Sequence, residues 1–519
     1  SVVAFGASVL LSALWALRAW EGPDPNQFAH LHSPFNGLRI AKGAAWALAF
    51  TLAVRRLELQ PAALTTALAR GVALGLAMTV AWVLWERAAM VGLLDFDAEY
   101  RVTGPFSIMN KGGAYIECYL AVAAALVLAW GRRWGPMAPA GAQERMASRW
   151  TLPGGAVTMG LLLAGTAYAV MVTYSRNGYA ALAAGGVAVL ALAVLQSRGA
   201  RGRATVRALG VVALIGAVAA PVLSGAFARD RLAATAEDFQ VRWNHWAAAL
   251  SLRDEGVATA VLGMGTGTFP VTHYWRSRDE RRAASWRLEP GDGNAFVRLG
   301  PGATVYFEQI VDVDAARALT LTMNVHSAAG APRLALSWCR KTTLTSSDCE
   351  GGEVKGIEAP GLWQTQDAEL APLPAPRNAA AGAVPLKLAL HTPADGPAVD
   401  VDNVSRFVKD ATGAERGVNL LRNGGFGQGL DHWHWSTNAD PPWHIHSLPV
   451  GVLFDQGWLG VLALALLLTT ALLRGLRRVL DGRPLALAGL AGIVAFLVSG
   501  SLNTLIDEPR CLMRFLLLA

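Results

Sequence analysis

Blocks of about 20 apolar residues, long enough to cross a membrane as helices, constrain this chain more than any other feature of its sequence. Such a helix spans the roughly 30 Å hydrocarbon core of a bilayer. The blocks crowd the two ends of the 519-residue chain and are rich in Leu, Ala, Val and Gly. Only 16% of all residues are charged, whereas soluble proteins average about 25%. The sequence therefore predicts a polytopic α-helical membrane protein and argues against an ordinary soluble enzyme.

About ten segments have this apolar character, which predicts about ten membrane spans. They cover residues 1–20, 38–55, 66–90, 113–131, 153–173, 177–196, 207–224, 449–473 and 484–503, and a last one begins near Cys511. The chain starts at Ser1, inside the first apolar stretch and without Met. We therefore expect further residues, including whole helices, to precede Ser1 in the natural protein.

The positive charge of the chain lies in alternate loops of this predicted bundle. The formal net charge is +7, and arginines crowd the loops at residues 55–56, 132–149, 198–207 and 474–483. Cytoplasmic loops of membrane proteins carry such an excess of Lys and Arg. The charge therefore indicates orientation among membrane lipids and does not point to a nucleic-acid partner. The remaining loops face the other side, which in a bacterium is the periplasm.

A long segment without spanning character divides the chain into four predicted parts. Residues 1–224 form the first group of transmembrane helices, and residues 441–519 carry the last group. Between them, residues 225–284 have a helical pattern, whereas residues 285–440 contain short alternating runs separated by Gly- and Pro-rich turns. Such alternation is typical of antiparallel β-sandwiches. The predicted architecture is a helical membrane protein with an inserted periplasmic β-sandwich.

Two cysteines of the insert are spaced as a disulfide requires. Cys339 and Cys349 lie ten residues apart across a polar turn, which favours a hairpin disulfide in an oxidising compartment. Two free thiols are the alternative. We expect Cys118 and Cys511, in or beside apolar segments, to pack as small hydrophobic residues.

Two stretches of the insert resemble carbohydrate-binding modules. The stretch Asn419-Leu-Leu-Arg-Asn-Gly-Gly-Phe resembles their opening strand, and Val399-Asp-Val-Asp-Asn-Val resembles their closing strand. Because the opening piece follows the closing piece here, the sandwich would be permuted. The resemblance implies a jelly-roll-like fold, and it leaves open whether the insert binds sugar or is a structural spacer.

Three cationic side chains stand where the bilayer makes charge unfavourable. Arg176 occupies a short turn between two apolar segments, Arg242 follows the last helix before the insert, and His446 precedes the helix that re-enters the membrane. On the predicted topology all three lie at one membrane face. Guanidinium groups bind phosphate oxygens in pairs, and a neutral histidine accepts a proton from a hydroxyl. For each residue alone, snorkelling to lipid headgroups or helix capping is the alternative.

The spacing around these residues resembles the O-antigen ligase superfamily. His446-Ser447, nine intervening residues and Gly457-Trp-Leu-Gly fit its His-(Asn/Ser/Gln)-x9-Gly-x-x-Gly pattern. Arg101-Val-Thr-Gly-Pro-Phe-Ser-Ile-Met-Asn resembles its Arg-x-x-Gly-x-Phe-x-x-x-Asn loop, and Thr173-Tyr-Ser-Arg resembles its Thr-x-Ser-Arg turn.

A fourth match follows in the same order. Arg242-x-x-x-Trp246, with Leu262-Gly-Met-Gly-Thr-Gly-Thr-Phe after it, resembles the segment that follows the entry to the family's long periplasmic loop. The resemblance covers most of the chain outside residues 285–440, which look like an insertion into that loop.

The resemblance implies a GT-C-like membrane glycosyltransferase of the bacterial inner membrane, with its site and the sandwich on the periplasmic side. The donor would be a polyprenyl-pyrophosphate-linked glycan and the acceptor a hydroxyl of another glycan, with other polysaccharide-assembly proteins as further partners. His446 would be the general base, and Arg176 and Arg242 would hold the pyrophosphate, so that neither metal nor cofactor is required. Further substrate contacts would come from Arg101, Asn110, Lys111, His245 and Trp246.

Other functions fit the same residues. Ligases, polymerases and protein O-oligosaccharyltransferases share the motifs, whereas a non-catalytic polysaccharide-binding or export component would need the arginines but not His446. A metal-using transferase would rely on Asp95 and Asp97 of a short periplasmic loop. A transporter would carry charged residues deep inside its spans. The predicted spans of this chain are nearly free of charge in their middles, and Glu117 is the exception.

Overall fold

The computed structural model divides the chain into two units of different secondary structure. The helical unit comprises Ser1–Trp15, Leu38–Thr266 and His444–Ala519, and the β unit comprises Ala16–Gly37 and Gly267–Trp443. The residues that the structure describes are 1–19, 36–56, 61–102, 104, 109–131, 155–196, 201–277, 284–291, 294–302, 304–328, 333–341, 346–354, 359–375, 385–393, 396–405, 408–409, 415–416, 419, 421–436, 445–506 and 509–518.

The helices follow the apolar blocks of the sequence. In chain order they are α1 Val2–Ala16, α2 Asn36–Arg56, α3 Pro61–Met90, α4 Met109–Gly131, α5 Gly155–Met171, α6 Arg176–Gln196, α7 Arg201–Ser224, α8 Ala226–Ala233, α9 Thr235–Ser251, α10 Val257–Leu262, α11 Phe269–Arg276, α12 Leu448–Leu480, α13 Pro484–Ser501 and α14 Pro509–Leu518. In lipid, no water is present to form hydrogen bonds with the backbone N–H and C=O groups. A helix pairs these groups with one another, so apolar blocks become helices.

Five of the described helices are long and apolar enough to cross a membrane. The qualifying stretches are Asn36–Val54, Ala67–Met90, Arg176–Gln196, Ala204–Ser224 and Leu448–Leu480. Shorter apolar helices occur at Val2–Ala16, Ile116–Ala129, Val157–Met171 and Ala486–Ser501. Each predicted apolar segment therefore coincides with a helix, and the chain has the character of a membrane protein with a separate β unit.

Small residues allow α4, α6 and α13 to pack closely at the centre of the helical unit. A Cβ atom added at Gly185 of α6 would lie 3.2 Å from the Cβ of Ala125 and 3.1 Å from that of Ala495. Such close backbone approach is the usual way in which helices associate in lipid, where no hydrophobic effect drives them together.

The β unit contains two five-stranded antiparallel sheets. Their orders are β1-β2-β9-β4-β7 and β12-β3-β8-β5-β6. The strands are β1 Trp286–Pro290, β2 Ala295–Leu299, β3 Tyr306–Val311, β4 Leu319–His326, β5 Leu334–Lys341, β6 Ser346–Val354, β7 Gln364–Leu370, β8 Leu386–His391, β9 Val399–Ser405 and β12 His434–Ser436, with β10 Val408–Lys409 and β11 Glu415–Arg416 as a separate pair.

Alternating side chains of both sheets meet in one core. Buried and half-buried positions alternate strictly along β4, and its buried residues share a hydrophobic cluster with Phe307 of β3 and Trp338 of β5. The indole Nε1 of Trp338 donates to the carbonyl of Ala371 at 2.9 Å. Two sheets around a shared core form the sandwich that the alternation predicts.

The structure corrects one predicted strand. Residues 421–432 form consecutive turns, so the stretch expected to be an opening strand is a loop. Its shape is set by Asn423, whose side-chain amide donates to the carbonyls of Gly429 and Asp431, both at 3.0 Å. Within the predicted part 225–284, residues up to Thr266 belong to the helical unit and those from Gly267 belong to the β unit.

A disulfide joins Cys339 of β5 to Cys349 of β6, as their spacing predicts. The two strands pair antiparallel, and their register shifts between Trp338 and Arg340, next to the cysteine. The bridge therefore fixes a hairpin at an irregular point, where backbone hydrogen bonds alone define the register less firmly.

We predict that the double substitution Cys339→Ser and Cys349→Ser lowers the free energy of unfolding of the β unit by about 2–4 kcal/mol, because the bridge restricts the unfolded chain. Thermal unfolding of the full chain in detergent, with and without reductant, measures this effect. Reductant should lower the midpoint of the wild type and leave the double variant unchanged. An equal midpoint for both proteins without reductant would contradict the prediction.

Candidate functional site

A tight turn between α5 and α6 fixes the position of Arg176. Tyr174 adopts a φ of 50° and buries its ring, which is 1% exposed. The Oγ of Ser175 accepts a hydrogen bond from the N–H of Gly178 at 3.1 Å, which is the geometry of a serine N-cap. The Oγ1 of Thr173 accepts the N–H of Ser175 at 3.2 Å. Arg176 is thereby held as the first residue of α6.

The guanidinium of Arg176 reaches the turn between α8 and α9. Its Nη1 donates to the carbonyl of Arg231 at 2.8 Å and to Oγ1 of Thr235 at 3.2 Å. Its Nη2 forms a salt bridge with the carboxylate of Asp238, on the first turn of α9. Arg176 therefore connects the start of a membrane helix to the helices that follow α7.

Arg242 lies one turn beyond Asp238 on α9. Its Nη1 donates to the carbonyl of Leu502, just after α13, at 2.9 Å. Burial lowers the pKa of the Arg242 guanidinium, and the negative charge of Glu117 opposes this shift. The side chain is thus a partly desolvated cation at the end of the helical bundle.

Glu117 of α4 is the acidic centre around which these residues gather. The carboxylate lies 3.6 Å from Nη2 of Arg101, and the residue is 7% exposed. Hydrogen bonds from the side chains of Ser175 and Asn503, and the charge of Arg242, also act on this carboxylate. Four segments that are distant in sequence therefore meet at one buried acid.

The loop that carries Arg101 is held by two buried charges at the end of α3. Glu86 accepts hydrogen bonds from the hydroxyl of Tyr100 at 2.9 Å and the N–H of Gly104 at 2.7 Å. Arg87, which is 0% exposed, donates to the carbonyls of Tyr100 and Asp95. Burial and the bond to Glu86 raise the pKa of Tyr100 to about 12. Nε of Arg101 donates a hydrogen bond to the carbonyl of Thr173 at 2.9 Å.

His446 stands two residues before α12 and faces a second histidine. It adopts a positive φ of 39°, and its ring centroid lies 6.2 Å from that of His245. His245 is on α9, one turn after Arg242. The same helix thus carries a member of the arginine group and a neighbour of His446. Trp246, by contrast, packs edge-on against Phe239 and Trp243.

Two residues that the sequence predicts to contact substrate lie on α4. Asn110 and Lys111 belong to the first turn of that helix, and their side chains fall outside the described residues.

Of the other predicted site residues, the structure brings Arg101, Arg176 and Arg242 into one charged group, and places His446 beside His245.

Two glycines from the matched motifs contact each other and hold the helix that follows His446. Gly457 interrupts α12 with a φ of 62° and a ψ of −161°, a conformation open essentially to glycine alone. A Cβ there would lie 2.5 Å from the carbonyl oxygen of Val261 and 2.6 Å from the nitrogen of Gly263. Beside this contact, the N–H of Met264 donates to the carbonyl of Phe454 at 2.8 Å. The Gly-Met-Gly-Thr-Gly run is thus a packing loop.

We predict that Gly457→Ala destabilises the helical unit by at least about 1–3 kcal/mol, the strain of a disfavoured backbone conformation. The steric overlap with Val261 and Gly263 adds to this strain. Gly186→Ala in α6 is the matched control, because a Cβ there meets nothing within 4 Å. Thermal unfolding in detergent should show a lower midpoint for Gly457→Ala only. Equal midpoints would contradict the close contact.

Asp95 and Asp97, the candidates for a metal site, make bonds to the backbone. Oδ1 of Asp95 accepts the N–H groups of Asp97 and Ala98, each at 3.2 Å. Oδ1 of Asp97 accepts the N–H of Ala226 at 2.8 Å, at the first residue of α8. Within the described part of the chain, no group of three or more His, Cys, Asp or Glu residues is arranged to hold a metal ion.

Three charged residues of the site were not among the predicted site residues. Asp238 and Arg231 lie in the polar segment after α7. Many charged residues occur there, so the sequence does not single out these two as site residues. Nε of Arg231 is buried and has no hydrogen-bond partner among the residues described. Glu117 did give a signal, because it is the exceptional charge inside an apolar block, but its partners come from remote segments.

We predict that Glu117 and Arg101 are energetically coupled, because removal of one partner leaves the other charge buried and unpaired. A double-mutant cycle of Glu117→Gln and Arg101→Gln, measured by unfolding in detergent, should give a coupling energy of about 0.5–3 kcal/mol. Additive effects of the two substitutions would contradict the pair. Arg333→Gln combined with Glu117→Gln is an additive control, since Arg333 pairs with Glu353 in the β unit instead.

No protein-family model, curated protein or solved structure matches the chain.

Proposed function

We propose that this chain is a membrane glycosyltransferase that moves a glycan from a polyprenyl-pyrophosphate donor to a hydroxyl acceptor. The observation that carries the proposal is the arginine group at the ends of the apolar helices. The charge of Arg176 acts on both Arg101 and Arg242, and these two arginines also interact with Glu117. Cations held together at this place suit a lipid-linked anion, because guanidinium forks bind phosphate oxygens in pairs.

In the proposed mechanism, His446 accepts the proton of the acceptor hydroxyl. The hydroxyl oxygen forms a bond to the anomeric carbon, and the bond from that carbon to the pyrophosphate oxygen breaks. Arg176 and Arg242 stabilise the negative charge that develops on the leaving pyrophosphate, which is the role a divalent metal plays in other transferases. Arg231, whose positive charge acts on Arg242, adds to the positive charge around the leaving group.

We assign the chain to the inner membrane of a bacterium, with a GT-C-like helical domain and its site on the periplasmic face. The arginine-rich loops 198–207 and 474–483 then lie in the cytoplasm, as charge bias requires. The disulfide between Cys339 and Cys349 supports an oxidising compartment for the β unit. The β unit would hold the growing polysaccharide or select acceptors, and other assembly proteins would supply the donor.

Ligase, polymerase and protein O-oligosaccharyltransferase activities all use this chemistry and differ in the acceptor. The product therefore decides among them. A ladder of lengthened lipid-linked chains identifies a polymerase, whereas transfer to an added glycan or protein identifies a ligase or an oligosaccharyltransferase. A non-catalytic binding component would hold the donor without converting it.

The test is transfer from a polyprenyl-pyrophosphate-linked oligosaccharide by the purified chain in detergent and EDTA, followed by mass spectrometry. We expect His446→Ala to lower the rate by about 10²–10⁴-fold, the usual contribution of a general base. His432→Ala, a half-buried histidine of the β unit, is the matched control and should keep the wild-type rate.

Full activity of His446→Ala would contradict the assigned base. Activity that requires Mg²⁺ or Mn²⁺ would overturn the metal-independent mechanism and favour Asp95 and Asp97. Binding of the donor without any conversion would favour the non-catalytic component.

A further inference from the structure

The carboxylate of Asp238 stands among three guanidinium groups. Its Oδ2 accepts a hydrogen bond from Nη2 of Arg176, and the positive charges of Arg231 and Arg242 also act on it. The bond from Arg176 is the main cause that lowers the pKa of Asp238 below its ordinary value. Asp238 is therefore an anion at neutral pH, and it lies where cations from α6, α8 and α9 converge.

This carboxylate is on the open side of the arginine group. The side chain of Asp238 is 43% exposed and that of Arg176 is 19% exposed. Nη1, the other terminal nitrogen of Arg176, donates to the carbonyl of Arg231 and to Oγ1 of Thr235. The Nη2 position is thus the part of this guanidinium that an external anion reaches when the Asp238 side chain rotates away.

Glu117 provides the contrast. It also pairs with an arginine, but its side chain is 9% exposed, and Ser175 and Asn503 hold it in place. It is a fixed counterion inside the bundle. Asp238 is held by its contact with Arg176 and its side chain is 43% exposed, so it is the less constrained of the two counterions.

We propose that Asp238 is an internal substitute for a donor phosphate, which neutralises Arg176 in the donor-free protein and gives way when a diphosphate binds. A carboxylate and a phosphate present similar pairs of acceptor oxygens to a guanidinium fork. The inference rests on the proposed function only in naming the anion as the diphosphate of the donor. Such an exchange pairs Arg176 with a carboxylate in the donor-free protein and with a phosphate in the donor complex.

The test is direct binding of inorganic pyrophosphate to the chain in detergent, measured by titration calorimetry. Asp238→Asn removes the competing charge and keeps the shape of the side chain, so we expect about two- to fivefold tighter binding, the size of a partly exposed ion pair. Glu237→Gln is the matched control, since it removes the same charge at the adjacent exposed residue and should leave the affinity unchanged. Arg176→Gln should abolish the difference between wild type and Asp238→Asn.

The outcomes separate this inference from the proposed function. Weaker or unchanged binding by Asp238→Asn would overturn the inference, because Asp238 would then orient Arg176 without competing for it; the transferase proposal would stand. Equal gains in Asp238→Asn and Glu237→Gln would reduce the effect to net charge and also overturn it. Tighter binding by Asp238→Asn alone, in a chain that shows no glycan transfer, would support the anion exchange and overturn the transferase proposal. Absence of pyrophosphate binding in every protein would overturn the inference, and the transfer assay would still decide the function.

Discussion

The burial of one carboxylate, that of Glu117, organises the functional end of the helical unit. A charge among apolar helices is tolerated only when oppositely charged or hydrogen-bonding groups surround it. The surrounding groups come from the loop after α3, the turn before α6, the middle of α9 and the end of α13, through Arg101, Ser175, Arg242 and Asn503. Each of these segments is thereby fixed in relation to the others, and cations converge at one place.

The position of the candidate site follows from the composition of the spans. Helix middles rich in Leu, Ala and Val offer few charged groups, and Glu117 of α4 is the exception that the candidate site uses. The cations of the candidate site therefore come from helix ends and from the loops and short helices between the spans. Arg176 begins α6 behind the Ser175 cap, and His446 lies just before α12. The packing of Gly457 on Gly263 holds α12 at the point where it departs from helical geometry. The glycines Gly263 and Gly457 thus fix the backbone, and Arg176 and His446 lie at the ends of helices.

How far the sequence predicts this structure depends on the range of the interaction. Apolar blocks and alternating runs are local signals, and they predict the helices and the sandwich strands correctly. The loop at 421–432 fails as a strand because Asn423 binds neighbouring carbonyls, while Phe426 and Trp433 are buried without alternation. The partners of Glu117 and the contact of Gly263 with Gly457 join remote segments, and a local pattern carries no information about which segments meet.

The balance of charge in the arginine group favours an anionic ligand over a cationic one. Four guanidinium groups, of Arg101, Arg176, Arg231 and Arg242, interact with two carboxylates, of Glu117 and Asp238. Among the described residues of this group, guanidinium groups therefore outnumber carboxylates by two. Since partly desolvated cations repel one another strongly, an anionic ligand would balance this group better than a cationic one, which supports the proposed diphosphate donor. Each phosphate of a sugar diphosphate lipid carries one negative charge, which matches the surplus in both sign and size.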